Sequence, residues 1–270
     1  MNDPYVPDLG LVYPDEPDAR MVEIKAVRDV IVDEHYPFLE KSFSFRFMRV
    51  LMHLGIFTLV FFLSPVRYGL KIEGRDILRK YRHLFKNGAM TVSNHVHRWD
   101  FLFVLQAVRY RLMYFPLLKE QLNGKDHDFV RLAGGIPIPE DIRSIKCFNE
   151  AFDEIVAKKK WIHAFPESSR FDYFQPIRPF KKGVFTMAHR YNLPIIPIAF
   201  SYRRPSFPFS LLNFMRSLIG RKKLPMITLR IGEPLLIDEG LRKKEAIEKL
   251  QNDCHSAIVH LSHPPARQQV

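Results

Sequence analysis

The side chains best suited to chemistry in this chain are concentrated in one stretch, residues 91–100, which reads TVSNHVHRWD. A neutral imidazole takes a proton from a weakly acidic hydroxyl near pH 7, and a neighbouring carboxylate fixes its tautomer and stabilises the imidazolium. His95 and Asp100 supply both groups, but their separation does not suit a regular helix, where neighbours are about three or four positions apart. The stretch therefore predicts a strand that ends in a bend before a helix, with His95 as general base and Asp100 as its partner.

Two alternatives to general-base chemistry remain open from these residues alone. His95, His97 and Asp100 are all ordinary zinc donors by residue type, although their spacing is not one of the usual sets. The polar side chains could also do no more than cap the strand and the helix that follows it. Full activity after exhaustive chelation would remove the metal hypothesis.

A second polar cluster follows another apolar run. Residues 161–165 (WIHAF) are typical of a short buried strand, and residues 166–170 (PESSR) follow them directly. A guanidinium binds a phosphate through a bidentate fork that an ammonium cannot reproduce, so Arg170 is a candidate phosphate ligand. A helix cap with a surface ion pair is the alternative for the same residues.

The elements around these clusters predict a sheet that can bring two strand ends together. A helix is predicted from an N-cap at Asp141 to Val156, another beyond Leu241, and the apolar run 101–115 is long enough for a buried helix. Four further runs are typical of strands: 113–118, 129–139, 195–201 and 226–231. Alternating strands and helices of this length predict an α/β fold, with a mostly parallel central sheet flanked by helices.

The composition favours an anionic membrane surface over nucleic acid as a partner. Forty-one Lys and Arg against 29 Asp and Glu give a formal charge of +12, and the chain has 23 Phe, many of them beside basic residues. Basic and apolar side chains together are typical of proteins that bind anionic membranes. Two cysteines do not form a disulfide framework, so a reducing compartment is expected.

Two segments are candidates for contact with lipid. Residues 42–66 are mostly apolar, but their uncharged run, 50–63, is shorter than the roughly 20 residues of a spanning helix. This predicts a helix that lies in one leaflet, with a buried core helix as the alternative. Residues 203–223 carry aromatic and aliphatic side chains between basic ends, which is typical of a second interfacial contact or of a helix packed on the core.

The chain is predicted to divide near residue 69. Residues 1–18 are rich in proline and acidic side chains, have no apolar period, and lack the basic start of a cleavable signal peptide. We therefore expect an N-terminal arm and membrane-associated helical segment at 1–68, and an α/β domain at 69–270.

Ordered blocks within residues 69–239 resemble the glycerolipid acyltransferases of the lysophosphatidic acid acyltransferase type. Asn94, His95 and Asp100 are similar to the family's first motif, an Asn-His followed by four residues and Asp. FPESSR at 165–170 resembles the third motif, usually written FPEGTR. On this resemblance the α/β domain is expected to be an acyltransferase domain.

The remaining blocks match the family's motifs to different degrees. LPIIPI at 193–198 is similar to the fourth motif, and GEP at 232–234 resembles the family's closing turn. The second motif keeps its strand at 134–138, but Glu140 stands where the family has an Arg that holds the acceptor's phosphate. Arg143, three residues further on, is the candidate substitute.

The resemblance implies a mechanism without cofactor or metal. His95 would take the proton of an acceptor hydroxyl as it attacks an acyl thioester, and Asp100 would orient the ring. The implied substrate-binding residues are Asn94, Lys119, Arg143, Glu167 and Arg170.

The resemblance also implies the substrates and the place of action. The acyl donor would be acyl-CoA or acyl carrier protein, and the acceptor a lysophospholipid, foremost 1-acylglycerol-3-phosphate, in phospholipid synthesis. The enzyme would associate with an anionic membrane, at its cytoplasmic face. Another lysophospholipid or a neutral lipid as acceptor, and a non-catalytic scaffold that binds anionic membranes, are the alternatives.

Overall fold

The computed structural model describes residues 5–16, 19–21, 24–109 and 111–263. The strands of its sheet are β1 (Lys71–Glu73), β2 (Met90–Ser93), β3 (Met113–Leu118), β4 (Gly135–Ile138), β5 (Trp161–Ala164), β6 (Ile195–Arg203) and β7 (Met226–Ile231). Within the described residues these form one seven-stranded sheet in the order β1-β7-β6-β2-β5-β3-β4. Strands β2 to β6 run parallel, β7 is antiparallel to β6, and β1 is parallel to β7.

Helices cover both faces of this sheet. They are α1 (Phe43–Tyr68), α2 (Arg75–Lys80), α3 (Asp100–Ala107), α4 (Glu120–Asn123), α5 (His127–Ala133), α6 (Ile142–Ala157), α7 (Gly183–Arg190), α8 (Phe209–Leu218) and α9 (Lys243–Ser262). One apolar core lies between the sheet and helices α1, α3 and α5, and a second lies between the sheet and helices α6, α7 and α9. The predicted α/β fold with a mostly parallel sheet flanked by helices is confirmed.

Two predicted elements have different bounds in the structure. The apolar run 101–115 is not a single helix, because α3 ends at Ala107 and β3 begins at Met113. Arg109 adopts a φ of 60°, a left-handed conformation that a continuing helix does not allow. The run 129–139 is also divided, since 129–133 belongs to α5 and only Gly135–Ile138 form β4.

Helix α1 is longer than the uncharged run at 50–63, from which the sequence predicts a helix too short to span a membrane. It has 26 residues, begins after the N-cap Ser42 and ends at Gly69, which has a φ of 53°. Among the described residues it is the one helix that is long and apolar enough to cross a bilayer, by length and composition alone. Arg49 does not interrupt it, because this side chain is buried, donates to the Met113 carbonyl at 2.9 Å and stacks over Tyr114.

One stripe of α1 packs on the α/β domain along most of the helix. Ile56 and Val60 join the core beside α3, and Ser64 Oγ donates to Gln106 Oε1 at 2.6 Å. The other faces carry exposed apolar side chains, such as Phe43 at 84% and Val66 at 65% exposure. The helix therefore lies along the domain and presents its apolar side outward.

The N-terminal arm also packs against the α/β domain. Tyr13 donates from its hydroxyl to the Asp172 carbonyl at 2.8 Å, and Arg20 forms an ion pair with Glu120 at 3.0 Å. Further along, the Val27 N–H donates to the Asn123 carbonyl at 2.8 Å. The arm thus crosses the edge of the sheet where the parallel strands end.

Candidate active site

The two polar clusters meet because β2 and β5 are neighbours in the sheet. These strands run parallel, with Val92 opposite Ala164, so the loops that follow them leave from the same edge. All residues of both strands are buried, which fixes the positions from which the loops start. His95 and Glu167, 72 positions apart in sequence, are in hydrogen-bond contact as a result.

His95 and Asp100 form a hydrogen-bonded pair. The ring Nδ1 lies 3.0 Å from Asp100 Oδ2, and the same oxygen accepts the backbone N–H groups of Val96 at 2.7 Å and His97 at 2.8 Å. An oxygen that already accepts two N–H groups acts as an acceptor toward the ring, so Nδ1 carries the proton and Nε2 has a free lone pair. Asp100 is fully buried, whereas 19% of the His95 side chain is exposed.

Burial sets the protonation of this pair. It lowers the pKa of His95 to about 3, an effect to which Arg170 and Arg178 add, and it raises the pKa of Asp100 to about 7. Since the two groups share a hydrogen bond, they titrate as a unit and not as separate sites. The imidazole is neutral at physiological pH, which is the form that accepts a proton.

Glu167 connects the loop after β2 to the loop after β5. Its Oε2 accepts the His95 N–H at 3.1 Å and lies 3.3 Å from Nη2 of Arg178, and its Oε1 accepts the Arg178 N–H at 3.0 Å. The side chain is buried, which raises the pKa of Glu167 to about 7, while Arg178 opposes this shift. These contacts give Glu167 the role of an organiser of the loop that carries His95.

A cavity of about 770 Å³ opens beside His95. The imidazole lines it and stacks on Phe165, with ring centroids 4.0 Å apart. The apolar part of the wall includes Trp99, Phe101, Phe115, Phe129 and Phe148, and the polar part includes Arg98, Ser169, Arg170 and Lys181. An apolar cavity with a base and cations on its wall suits an amphiphilic ligand.

Comparison with known proteins indicates the family of the domain that contains this site. The family model described as Acyltransferase matches residues 69–201, a range that contains both loops. Residues 69–201 therefore form an acyltransferase domain. The prediction of an acyltransferase domain is thereby confirmed. Among curated proteins, no sequence matches the chain significantly.

A solved structure supports the fold of this acyltransferase. The chain is similar to the crystal structure of the 1-acyl-sn-glycerophosphate (LPA) acyltransferase PlsC from Thermotoga maritima, with a TM-score of 0.53. The match covers 85% of this chain and 87% of that one, at 16% sequence identity. At this identity the likeness extends to the fold.

Asn94, which precedes His95, is not part of the cavity wall. Its side chain is buried, its Nδ2 donates to the Phe200 carbonyl at 3.1 Å and its Oδ1 accepts the Phe200 N–H at 2.8 Å. These two bonds fix the start of the loop that carries His95 to β6. Asn94 therefore fixes the chain directly before His95, and its side-chain oxygen and nitrogen are both bonded to the backbone of β6.

The three predicted cationic ligands of the acyltransferase are in different places. Arg170 lines the cavity and pairs with Asp172, with Nε and Oδ1 2.7 Å apart. Lys119 follows β3 and donates to Glu140 Oε2 at 2.5 Å, a hydrogen bond that raises the pKa of Lys119. Arg143 lies exposed in the first turn of α6, and neither Arg143 nor Lys119 is part of the cavity wall.

Arg178 is the residue of this site that the sequence did not indicate. It is buried, donates from Nη1 to Ser169 Oγ at 3.1 Å and stacks over Phe171, 3.9 Å from the ring centroid. It lies between two prolines in QPIRP, 175–179, where no periodicity marks a buried position. A single Arg in an irregular segment of a basic chain offers no signal of burial.

His97 has an aromatic environment. Its ring is 5.1 Å from Tyr68 and 5.7 Å from Phe103, centroid to centroid, and its Nδ1 accepts the Trp99 N–H at 3.1 Å. Within the part of the chain that the structure describes, no group of three or more His, Cys, Asp or Glu side chains could hold a metal ion. His97 thus packs against α1 and α3 and stabilises the loop.

Proposed function

We propose that the protein transfers a fatty acyl group from an acyl thioester, acyl-CoA or acyl carrier protein, to the hydroxyl of a lysophospholipid. The first candidate for the acceptor is 1-acylglycerol-3-phosphate. The observation that carries this proposal is the neutral His95, backed by Asp100, on the wall of a large apolar cavity with cations nearby.

The proposed reaction is a direct transfer. Nε2 of His95 takes the proton of the acceptor hydroxyl while its oxygen attacks the thioester carbonyl carbon, and Asp100 stabilises the imidazolium that forms. The C–S bond of the resulting tetrahedral intermediate breaks, the thiolate takes the proton from the imidazolium, and the new ester remains. The apolar wall of the cavity suits the fatty chain, because it keeps methylene groups out of water.

We propose that the acceptor's phosphate binds at the polar part of the cavity wall. Arg170 is the first candidate, since its guanidinium lines the cavity and can bind a phosphate through two hydrogen bonds. The ion pair between Lys119 and Glu140 favours a second candidate, a lysophospholipid with a zwitterionic head group. Glu140 cancels the positive charge of Lys119, and neither side chain lines the cavity, so Lys119 does not add to the positive charge that Arg170 offers to a phosphate.

We also propose that the enzyme works while bound to the cytoplasmic face of a membrane. One stripe of α1 is held by the domain at Arg49 and at Ser64, so the two ends of this helix cannot lie on opposite sides of a bilayer unless the domain crosses it too. The exposed apolar side of α1 suits a helix that lies within one leaflet, as an amphipathic anchor does.

The test is an acyl-transfer assay with purified protein. Lysophosphatidic acid, lysophosphatidylcholine and monoacylglycerol are offered as acceptors, each with acyl-CoA and with acyl carrier protein as donor. His95→Ala is expected to lower the rate roughly a hundredfold or more, because the variant lacks the group that takes the proton of the acceptor hydroxyl. Preference for lysophosphatidic acid supports the first acceptor, and preference for lysophosphatidylcholine supports the second.

The role of Arg170 is tested in the same assay. Arg170→Lys is expected to raise the acceptor's KM more than the donor's, because an ammonium does not reproduce the bidentate fork. Arg190→Lys is the matched control, since Arg190 pairs with Asp153 on the exposed surface. No transfer to any acceptor by folded protein that still binds vesicles would instead favour a non-catalytic membrane scaffold.

A further inference from the structure

Helix α8 carries an apolar surface that the fold does not use. We define the α8 surface by its exposed apolar side chains, which are 52–82% exposed: Phe207, Leu211, Phe214, Met215, Leu218 and Ile219. The opposite side of the helix is fixed to the domain through Phe209, which is buried, and through Asn213. The Asn213 side chain donates to the Leu224 carbonyl at 2.8 Å and accepts the Leu224 N–H at 3.0 Å. The α8 surface therefore points away from the domain.

Basic side chains surround this surface. No acidic residue occurs in the sequence from Arg203 to Gly232, and the stretch contains Arg204, Arg216 and the run RKK at 221–223. Arg221 and Lys223 are exposed. A patch that combines large apolar side chains with positive charge alone complements a surface that is apolar inside and anionic outside.

The topology places the α8 surface at the same edge of the sheet as the active site. Helix α8 connects the end of β6 to the start of the antiparallel strand β7, so it lies where the parallel strands end. The last turn of α1 reaches the same edge, because Arg203 donates to the Gly69 carbonyl at 2.5 Å. Arg67 of α1 and Arg216 of α8 both lie near enough to Tyr173 to lower its pKa, against the rise caused by burial.

We propose that the α8 surface docks on an anionic lipid bilayer as a second membrane contact beside α1. Its apolar side chains enter the boundary between head groups and acyl chains, and its basic residues lie among the anionic head groups. Two contacts at one edge orient the domain, whereas one helix would leave it free to rotate. If the proposed function holds, this orientation brings the cavity opening toward the lipid that supplies the acceptor.

Vesicle binding tests the docking independently of catalysis. The full chain is floated with vesicles of phosphatidylcholine alone and of phosphatidylcholine with phosphatidylglycerol. Arg221→Gln with Lys223→Gln is expected to weaken binding to the anionic vesicles about fivefold for each charge, which corresponds to ~1 kcal/mol. The matched control, Lys243→Gln with Lys244→Gln at the start of α9, is expected to bind like the unsubstituted chain, because α9 begins beyond the other end of β7.

The apolar contact has its own variant and control. Phe214→Ser with Leu218→Ser is expected to weaken binding at least tenfold, and Val259→Ser, an exposed position on α9, to leave it unchanged. Binding of both α8 double variants within about twofold of the unsubstituted chain would overturn the proposal. Thermal unfolding of each variant shows that the fold is kept.

A fluorescent probe on α8 reports the contact directly, whatever α1 contributes. An environment-sensitive dye on Leu218→Cys, in a Cys147→Ser background, is expected to shift to the blue on anionic vesicles, and the same dye on Val259→Cys is not. Absence of a shift at position 218 overturns the proposal. A dimer in solution that Leu218→Ser converts to a monomer, with vesicle binding unchanged, would assign the surface to a second copy of this chain.

Discussion

Replacing Asp100 by Asn tests whether its charge, and not only its shape, supports His95. The amide oxygen can take the place of Oδ2 and accept the N–H groups of Val96 and His97. The amide nitrogen then replaces Oδ1, a buried atom for which the described residues supply no hydrogen-bond donor. The loop is therefore expected to keep its conformation, and the change removes the negative charge alone.

The expected loss follows from the distance between the ring and the carboxylate. At 3.0 Å and an effective dielectric constant of about 20, two unit charges attract by ~5.5 kcal/mol. If about half of the imidazolium charge has formed in the transition state, Asp100→Asn costs ~3 kcal/mol, which is roughly a hundredfold in kcat.

The assay measures thiol release from acyl-CoA at saturating acceptor. Asp153→Asn is the matched control, because Asp153 pairs with Arg190 on the exposed surface and its loss is expected to leave the rate unchanged. KM for both substrates is expected to stay near its original value, since Asp100 does not line the cavity. A folded Asp100→Asn variant that keeps more than about a third of the rate would refute the charge argument and leave Asp100 only the role of holding the loop through the Val96 and His97 N–H groups.

Three further outcomes are expected. Arg178→Met leaves Glu167 buried without its partner and should lower the free energy of unfolding in urea by ~3–5 kcal/mol, and a loss below about 1 kcal/mol would contradict the buried pair. Because burial raises the Asp100 pKa to about 7, protonation below that pH removes the charge that stabilises the imidazolium, so kcat/KM should fall as the pH drops below about 7 and level off above it; a flat profile would contradict this. Gly134→Ala puts a Cβ 2.2 Å from a backbone oxygen at a φ of 112° and should destabilise the fold, whereas Gly55→Ala, with open space around it, should be neutral or stabilising.

The parts of the fold and site that the sequence predicted depend on local signals. The buried strands β2 and β5 are apolar runs that end abruptly in polar residues, and parallel neighbours must end at one edge. Asp141 and the helix after it combine a cap with a periodic stripe, and the Asp141 side chain does accept the Ser144 N–H at 2.9 Å. In each case a short stretch of sequence carries the signal that identifies the strand or helix.

The parts that the sequence did not predict depend on contacts between distant residues. The run 101–115 is uniformly apolar, so periodicity could not mark the turn near Arg109 that separates α3 from β3. Arg49 is a charged residue within α1, and in the sequence it interrupts the apolar run. In the structure it donates a hydrogen bond to the Met113 carbonyl and stacks over the Tyr114 ring, so the helix continues through it. Partners that lie so far away in the sequence can be identified only from the tertiary structure.

The pairing of Lys119 with Glu140 shows why a motif residue cannot be read in isolation. Glu140 stands where the family's phosphate-binding Arg would be, and by itself it suggests repulsion of a phosphate. The structure instead joins it to Lys119 at 2.5 Å, so the two positions together carry no net charge and lie outside the cavity wall. The choice between a phosphate and a zwitterionic head group therefore depends on Arg170 and its ion pair with Asp172, because a phosphate that binds Arg170 must compete with that carboxylate.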